Sequence, residues 1–184
     1  MAKTAESASD LLTVEDVWAM PDDGRRRELI DGVLIVSPSP RLPHQRVATR
    51  LVGLLLAACP DELEVFAAPL DWVISDTTLL QPDVIVARKA DYAPHGPNLR
   101  KAPVFVVEVR SPSTARYDAG TKRLAYEAAG AQWYWMVDPD GPGLVVLELV
   151  DGAYREVARV SDDEPYDATA PFAVRVVPAD LVRV

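Results

Sequence analysis

The sequence has few of the residues that cross-link a chain or bind zinc. It contains one cysteine, Cys59, and two histidines among 184 residues. A single thiol excludes an intrachain disulfide, and one thiol with two imidazoles cannot complete a zinc site of the finger type. Packing must therefore hold the fold together, and a chain of this length buries about 70% of the surface that its unfolded form exposes.

Long apolar runs are also absent from the sequence. The longest candidate, Leu51–Cys59, lies between Arg50 and Pro60 and is far shorter than a membrane span of about 20 residues. The first ten residues lack the apolar segment of a signal peptide. We therefore predict a cytoplasmic protein with no membrane partner, in which a flexible leader at residues 1–12 precedes a single domain at residues 13–184.

Negative charge dominates the sequence but is unevenly spread. The net charge is −9, which argues against non-specific binding of polyanions over the whole surface. Residues 41–123 nevertheless carry 11 bases and 9 acids, whereas residues 138–184 carry 4 bases and 10 acids. The basic excess in the middle is either a chance fluctuation on a solvated surface or the sign of one face that can meet an anion.

Hydrophobic periodicity predicts two main helices. Apolar residues at helical spacing indicate a long amphipathic helix over His44–Cys59. A second helix is expected over Thr114–Gly130, with Leu124, Ala125 and Ala128 on its inner face.

Strands are predicted on both sides of each helix. Asp31-Gly32 predicts a hairpin turn within Glu28–Val36. Further strands are expected at Glu64–Ile74, Leu79–Val86 with an early break at Pro82, Pro103–Val109 and Gln132–Val137, in a meander over Leu144–Val160 with its turn at Asp151-Gly152, and at Phe172–Val177. The order of elements predicts an α/β fold with a mixed sheet, flanked by helices and extended by hairpins.

Two carboxylates occupy positions where a charge needs a partner. Asp83 precedes the apolar run Val84–Val86, and Glu108 lies near the end of the next apolar strand. A charge in a buried strand is costly unless it is paired, hydrogen-bonded or metal-bound. Two acids on neighbouring strands can share a cation, and oxygen ligands favour Mg²⁺ or Mn²⁺. Alternatively, Asp83 faces solvent and Glu108 pairs with Arg110 or Lys122.

Lys122 follows these acids on the second predicted helix. Asp118, Lys122 and Tyr126 are four residues apart, so they line one helical face. A lysine there can reach a strand end, orient a water or stabilise charge on a phosphate. The same spacing also suits a solvated helix face.

The order of these motifs resembles that of the PD-(D/E)xK nuclease superfamily, and within it the Uma family of restriction endonucleases. The matching segments are ELIDG at 28–32, PHQ at 43–45, QPDV at 81–84, VEVRSPST at 107–114, Asp118 with Lys122 and Tyr126, and WYWMVDP at 133–139. The resemblance implies a restriction-endonuclease-like mixed sheet flanked by helices, with extra hairpins.

The resemblance also implies metal-dependent hydrolysis of phosphodiester bonds in DNA. Asp83, Glu108 and the carbonyl of Val109 would hold Mg²⁺ or Mn²⁺, which lowers the pKa of a bound water. The superfamily has a lysine two residues after the glutamate, where this chain has Arg110. An arginine stays protonated and cannot act as a general base. We therefore assign the water-orienting or charge-stabilising role to Lys122.

Two further residues are candidates through the same resemblance. Glu28 matches an additional acid of the superfamily that completes the metal shell or holds a water; alternatively, it is a hairpin-edge charge paired with Arg25 or Arg27. His44 would contact phosphate or a metal-bound water; alternatively, it makes a local hydrogen bond at the start of its helix.

The remaining candidates have structural interpretations. His95 lies in a Pro/Gly loop and is expected in solvent, and Cys59 is expected in the core. Trp133 and Trp135 share one sheet face, which favours core packing or a subunit interface over base stacking. The Trp-rich strand and the aliphatic hairpins suggest a homodimer.

Three functions are compatible with the sequence. The first is a metal-dependent DNA endonuclease. The second is a catalytically silent interaction module on a nuclease fold, with the acidic C-terminal third as its binding surface. The third is a metal-dependent hydrolase of a small phosphate ester, for which the net negative charge matters less.

Overall fold

The structure is a computed structural model that describes residues 11–111 and 118–184. In chain order, its helices and strands are α1 (Val14–Trp18), β1 (Arg26–Ile30), β2 (Val33–Ser37), α2 (Leu42–Ala58), β3 (Leu63–Ala67), β4 (Trp72–Ser75), β5 (Thr78–Leu80), β6 (Val84–Arg88), β7 (Phe105–Val109), α3 (Arg123–Ala129), β8 (Trp133–Asp138), β9 (Gly143–Val150), β10 (Ala153–Ser161), β11 (Tyr166–Ala168), β12 (Val174–Val176) and α4 (Pro178–Val182). This arrangement is the predicted mixed α/β fold.

The larger sheet has six strands in the order β10-β9-β8-β7-β6-β3. Strands β7 and β8 run parallel, and the other neighbours are antiparallel. Every residue of β7 is buried, as expected for a strand covered on both faces. Helix α2 packs on one face through Val47, Leu51 and Leu55. Because side chains alternate along a strand, Glu108 lies on the other face of β7, where Val106 and Tyr126 pack.

The smaller sheet has the order β2-β1-β5-β4 and carries Glu28 on β1. Its first hairpin turns at Asp31 and Gly32, whose φ angles are 49° and 78°. Positive φ at both central residues is the geometry that the Asp-Gly pair predicts. The hairpin prediction is therefore confirmed, and Glu28 stands on a strand that pairs on both sides.

Two predicted strands each prove to be a pair of strands in different sheets. The segment predicted at Glu64–Ile74 divides into β3 of the larger sheet and β4 of the smaller one, with Pro69 between them. In the segment predicted at Leu79–Val86, the expected break at Pro82 is confirmed, and it separates β5 from β6 in the other sheet. A proline has no N–H for a strand ladder, so it interrupts a central strand. The chain crosses between the sheets at residues 81–83, which places Asp83 at their junction.

The long helix was predicted closely and the second helix only partly. Helix α2 begins at Leu42, two residues earlier than predicted, with a proline in its first turn. Residues 114–117 of the second prediction lie outside the described residues. The described part begins as a π-helical turn, Asp118–Lys122, and continues as α3, which Gly130 ends with a φ of 85°.

The inner face predicted for the second helix was wrong for two of its three residues. Ala125 packs against the core, but Leu124 is 64% exposed and Ala128 is exposed, whereas Lys122 and Tyr126 are buried. The prediction of this face rested on apolar residues alone. Buried carboxylates beneath the helix instead bind Lys122, so the polar side chain occupies the inner face.

Several minor expectations can be compared with the structure. Trp135 is buried and Trp133 packs against the same core cluster, which confirms core packing. His95 is exposed as predicted, while Cys59 is only partly buried beside the core. Residues 1–10 of the predicted leader lie outside the described residues. No described helix is both long enough and apolar enough to cross a membrane.

Candidate active site

A cleft of about 330 Å³ opens where the two sheets meet, and charged side chains form its floor. Asp83 comes from the crossing between β5 and β6, Glu108 from β7 and Lys122 from the turn before α3; Glu28 of β1 lies directly behind Lys122. Each of these four residues is at most 4% exposed. The loop Ser37–Arg41 forms the rim. Four candidates from distant parts of the sequence therefore meet at one place.

Lys122 joins two of the buried acids. Its Nζ lies 2.9 Å from Oε2 of Glu28 and 3.0 Å from Oε1 of Glu108. The hydroxyl of Tyr126 also donates to Oε1 of Glu108. Burial raises the pKa of Tyr126 well above its ordinary value, and the charges of Glu108 and Glu28 raise it further. Tyr126 is therefore a fixed hydrogen-bond donor that positions Glu108.

The alternative partners considered for Glu28 do not bind it. Arg27 lies 2.7 Å and Arg25 lies 3.5 Å from carboxylate oxygens of Asp23. Glu28 instead accepts the backbone N–H of Gln81 at 2.8 Å. For Glu108, the alternative interpretation was an ion pair with Arg110 or with Lys122, and the structure contains the pair with Lys122.

Asp83 is held on both of its carboxylate oxygens and does not face solvent as the alternative interpretation required. Oδ1 lies 2.7 Å from Nη1 of Arg26. Oδ2 accepts the backbone N–H of Val109 at 2.8 Å and lies 3.0 Å from Nε2 of His44. Burial alone would raise the pKa of Asp83, but the hydrogen bond from His44 and the charge of Arg26 outweigh it and lower the pKa. Asp83 is therefore an ionised carboxylate.

His44 reaches the site from the first turn of α2. Its Nε2 contacts Asp83, and its Nδ1 is buried without a hydrogen-bond partner among the described residues. The partner is 39 residues away in sequence, so this is not the local helix-start hydrogen bond that was considered as an alternative. Val109 contributes its N–H to Asp83, while its carbonyl as a metal ligand stays a prediction.

Arg26 is the site residue that sequence reasoning missed. Its guanidinium bonds Asp83 and also donates from Nη2 to the carbonyl of Gln81. Nη2 lies 3.5 Å from Glu28 and 3.9 Å from Glu108. Burial lowers the pKa of Arg26, but the three carboxylates raise it by more. A signal did exist, because residues two apart on a strand share a face, so Arg26 must accompany Glu28.

The donor chemistry of the cluster fits a divalent cation, although the present arrangement is not a preformed metal site. Within residues 11–111 and 118–184, no three His, Cys, Asp or Glu side chains lie together as a metal-binding group. Arg26 and Lys122 instead lie among the acids and form ion pairs with them. Carboxylate and carbonyl oxygens are nevertheless the ligands that Mg²⁺ prefers. An ion shared by Asp83 and Glu108 would take the place of the Arg26 guanidinium.

The fold is shared with a protein of known structure. It matches the crystal structure of "a putative nuclease belonging to DUF820" from Anabaena variabilis with a TM-score of 0.74 and 21% sequence identity, over 93% of this chain and 97% of that chain. The chain belongs to the Uma2 family, whose family model carries the description "Putative restriction endonuclease" and matches residues 14–177. Among curated proteins, none is significantly similar to the chain.

Proposed function

We propose that the protein is a Mg²⁺- or Mn²⁺-dependent endonuclease that hydrolyses phosphodiester bonds in DNA. The observation that carries this proposal is the convergence of Glu28, Asp83, Glu108 and Lys122, each nearly fully buried, beside an open cleft. Buried charges stabilise a fold less well than apolar side chains of similar volume. A buried ionic cluster that borders a cleft is therefore a candidate for a functional site.

Each residue has a role in the proposed reaction. Asp83 and Glu108, with the carbonyl of Val109, are the metal ligands, and a bound Mg²⁺ supplies an activated water and neutralises phosphate charge. Lys122 orients the attacking water or stabilises the charge that develops on the phosphate. Glu28 fixes Lys122 through their 2.9 Å contact. His44 fixes Asp83 through their 3.0 Å contact.

The rim of the cleft supports a nucleic-acid substrate, for which we propose DNA. Arg41 is 60% exposed on the rim, and Arg110 is 44% exposed beside it. Exposed arginines next to an acidic floor are suited to phosphates on either side of a scissile bond. The family description, restriction endonuclease, supports the same substrate. For such a substrate we propose the cytoplasm as the site of action.

The test is cleavage of supercoiled plasmid with Mg²⁺ or Mn²⁺. We expect nicking by the wild type, loss of nicking in Asp83→Asn and Glu108→Gln, and full activity in Asp61→Asn, an exposed carboxylate outside the cleft. Circular dichroism checks that the variants fold. Hydrolysis of a small phosphodiester without nicking would favour the small-ester hydrolase. No metal-dependent hydrolysis of either substrate would favour the interaction module.

A homodimer is the second part of the proposal. Trp133 and Trp135 pack into the core, so the support comes from the edge strand β2, where Val33 and Val36 are 58% and 45% exposed. An edge strand with apolar side chains is a template for pairing with a second copy. We expect sedimentation at twice the chain mass of 20.1 kDa at micromolar concentration. Sedimentation of a single chain would contradict it.

A further inference from the structure

Arg26 occupies the position where two proposed metal ligands meet. Its Nη1 lies 2.7 Å from Oδ1 of Asp83, and its Nη2 lies 3.9 Å from Oε2 of Glu108. Its positive charge thus neutralises these two carboxylates in the metal-free protein, as a bound metal ion would. A guanidinium and a divalent cation that contact the same oxygens repel each other, and this repulsion favours exchange of one for the other.

The surroundings of Arg26 give the side chain room to move. It is 24% exposed, more than the other charged residues that it contacts. It lines both the 330 Å³ cleft and an adjoining cleft of about 600 Å³. Its Nε has no hydrogen-bond partner among the residues that the structure describes. Contacts at the two Nη atoms are therefore what hold the guanidinium on the acids.

We propose that Arg26 is an exchangeable counter-ion and the phosphate ligand of the active site. A divalent cation takes its place between Asp83 and Glu108, and the released guanidinium then binds an oxygen of the substrate phosphate. A guanidinium offers two N–H groups in the geometry that phosphate oxygens accept. Metal and phosphodiester consequently bind with positive cooperativity. This inference rests on the proposed function.

The exchange is tested first with the metal alone. Mn²⁺ binding is measured by electron paramagnetic resonance and calorimetry on wild type, Arg26→Gln, Arg26→Lys and the neighbouring control Arg25→Gln. If Arg26 covers the ligands in nine molecules of ten, removing it tightens Mn²⁺ binding about tenfold. We expect that gain in Arg26→Gln, a smaller gain in Arg26→Lys, and the wild-type affinity in Arg25→Gln.

The two Arg26 variants make the result decisive. Removing Arg26 leaves the acids underneutralised, so Arg26→Gln should also melt at a lower temperature than wild type without metal and recover with Mn²⁺. Arg26→Lys keeps the positive charge, so it can still be measured if Arg26→Gln does not fold. Mn²⁺ binding in both variants that is no tighter than in the wild type, or absent from every variant, overturns the exchange.

The phosphate role is tested with a phosphorothioate DNA duplex, whose linkages resist hydrolysis. With saturating Mn²⁺, Arg26→Gln should bind the duplex about tenfold more weakly than wild type. Without Mn²⁺, the two proteins should bind it equally. An equal loss in both conditions, or no loss in either, overturns the coupling. If Mn²⁺ binding behaves as expected and plasmid is never cut, the nuclease proposal fails while the exchange stands.

Discussion

Lys122 separates two buried carboxylates that would otherwise repel each other. Its ammonium lies within 3.0 Å of both Glu28 and Glu108. Removing one member of such a cluster leaves an uncompensated charge in a medium of low dielectric constant. We expect Lys122→Met to lower the free energy of unfolding by about 3–5 kcal/mol, measured by urea denaturation. The control Lys101→Met removes a surface ion pair with Asp91 and should cost under about 1 kcal/mol.

Two tyrosines provide a matched test of positioning. Tyr126 donates to Glu108, and Tyr154 donates to the carbonyl of Ala131 at 2.7 Å. Both side chains are buried, so Tyr126→Phe and Tyr154→Phe should each lose about 1–2 kcal/mol of stability. Only Tyr126→Phe should lower the rate of metal-dependent cleavage, by roughly tenfold, because it alone holds a proposed ligand. Equal rates for the two variants would remove the positioning role of Tyr126.

The ionised state of Asp83 predicts a pH dependence of stability. Its pKa in the folded protein is lowered from an ordinary value of 3.8. Its stabilising contribution is therefore present above pH 3.8 and is lost as the pH falls further, because the unfolded chain then binds a proton that the folded protein does not. Urea denaturation between pH 5 and pH 2.5 should show a steeper fall in stability for wild type than for Asp83→Asn. Parallel profiles would contradict the lowered pKa.

At the scale of elements, two glycines test how the backbone conformation of a helix affects stability, independently of the active site. Gly130 ends α3 with a φ of 85°, whereas Gly53 lies within α2, and neither has a neighbour that a Cβ would touch. Gly130→Ala should destabilise the protein by about 1 kcal/mol through backbone strain. Gly53→Ala should stabilise it by up to about 1 kcal/mol. Thermal unfolding measures both, and a stabilising Gly130→Ala would contradict the left-handed cap.

The sequence predicted those elements whose signals are local. The hairpin at Asp31 and Gly32 follows from turn chemistry, and α2 follows from helical periodicity. Proline predicted the break at Pro82, but the assignment of the strands to two sheets was missed, because alternation predicts a strand and not its neighbours. The inner face of α3 was predicted only in part, because burial of Lys122 depends on acids 14 and 94 residues away.

The residues of the candidate site could be predicted from the sequence, but their contacts could not. Strand and helix patterns already singled out Asp83, Glu108 and Lys122, and the resemblance added Glu28 and His44. The structure brings all five together at one cleft or directly behind it. Their mutual contacts could not be read from spacing, and neither could the place of Arg26. Which cation pairs with which acid depends on tertiary contacts, and the sequence does not show those contacts.

At the scale of the whole molecule, the net charge of −9 limits how DNA can bind. Attraction must come from a few exposed bases at the rim, so the affinity should fall with salt according to a small number of phosphate contacts. Arg41→Gln should reduce the slope of log affinity against log salt by about one. The control Arg155→Gln, an exposed arginine of β10 that does not line the cleft, should leave the slope unchanged. An unchanged slope in Arg41→Gln would remove this residue from the DNA-binding surface.

The junction between the two sheets also has a consequence for biosynthesis. The charged cluster takes its members from β1, from the crossing at residues 81–83, from β7 and from the start of α3. A ribosome makes these segments in that order, so a nascent chain lacks its lysine until most of the protein has been translated. Both sheets must then dock before the acids meet. A chain that is incomplete or half folded therefore has no assembled centre with which to carry out the proposed cleavage.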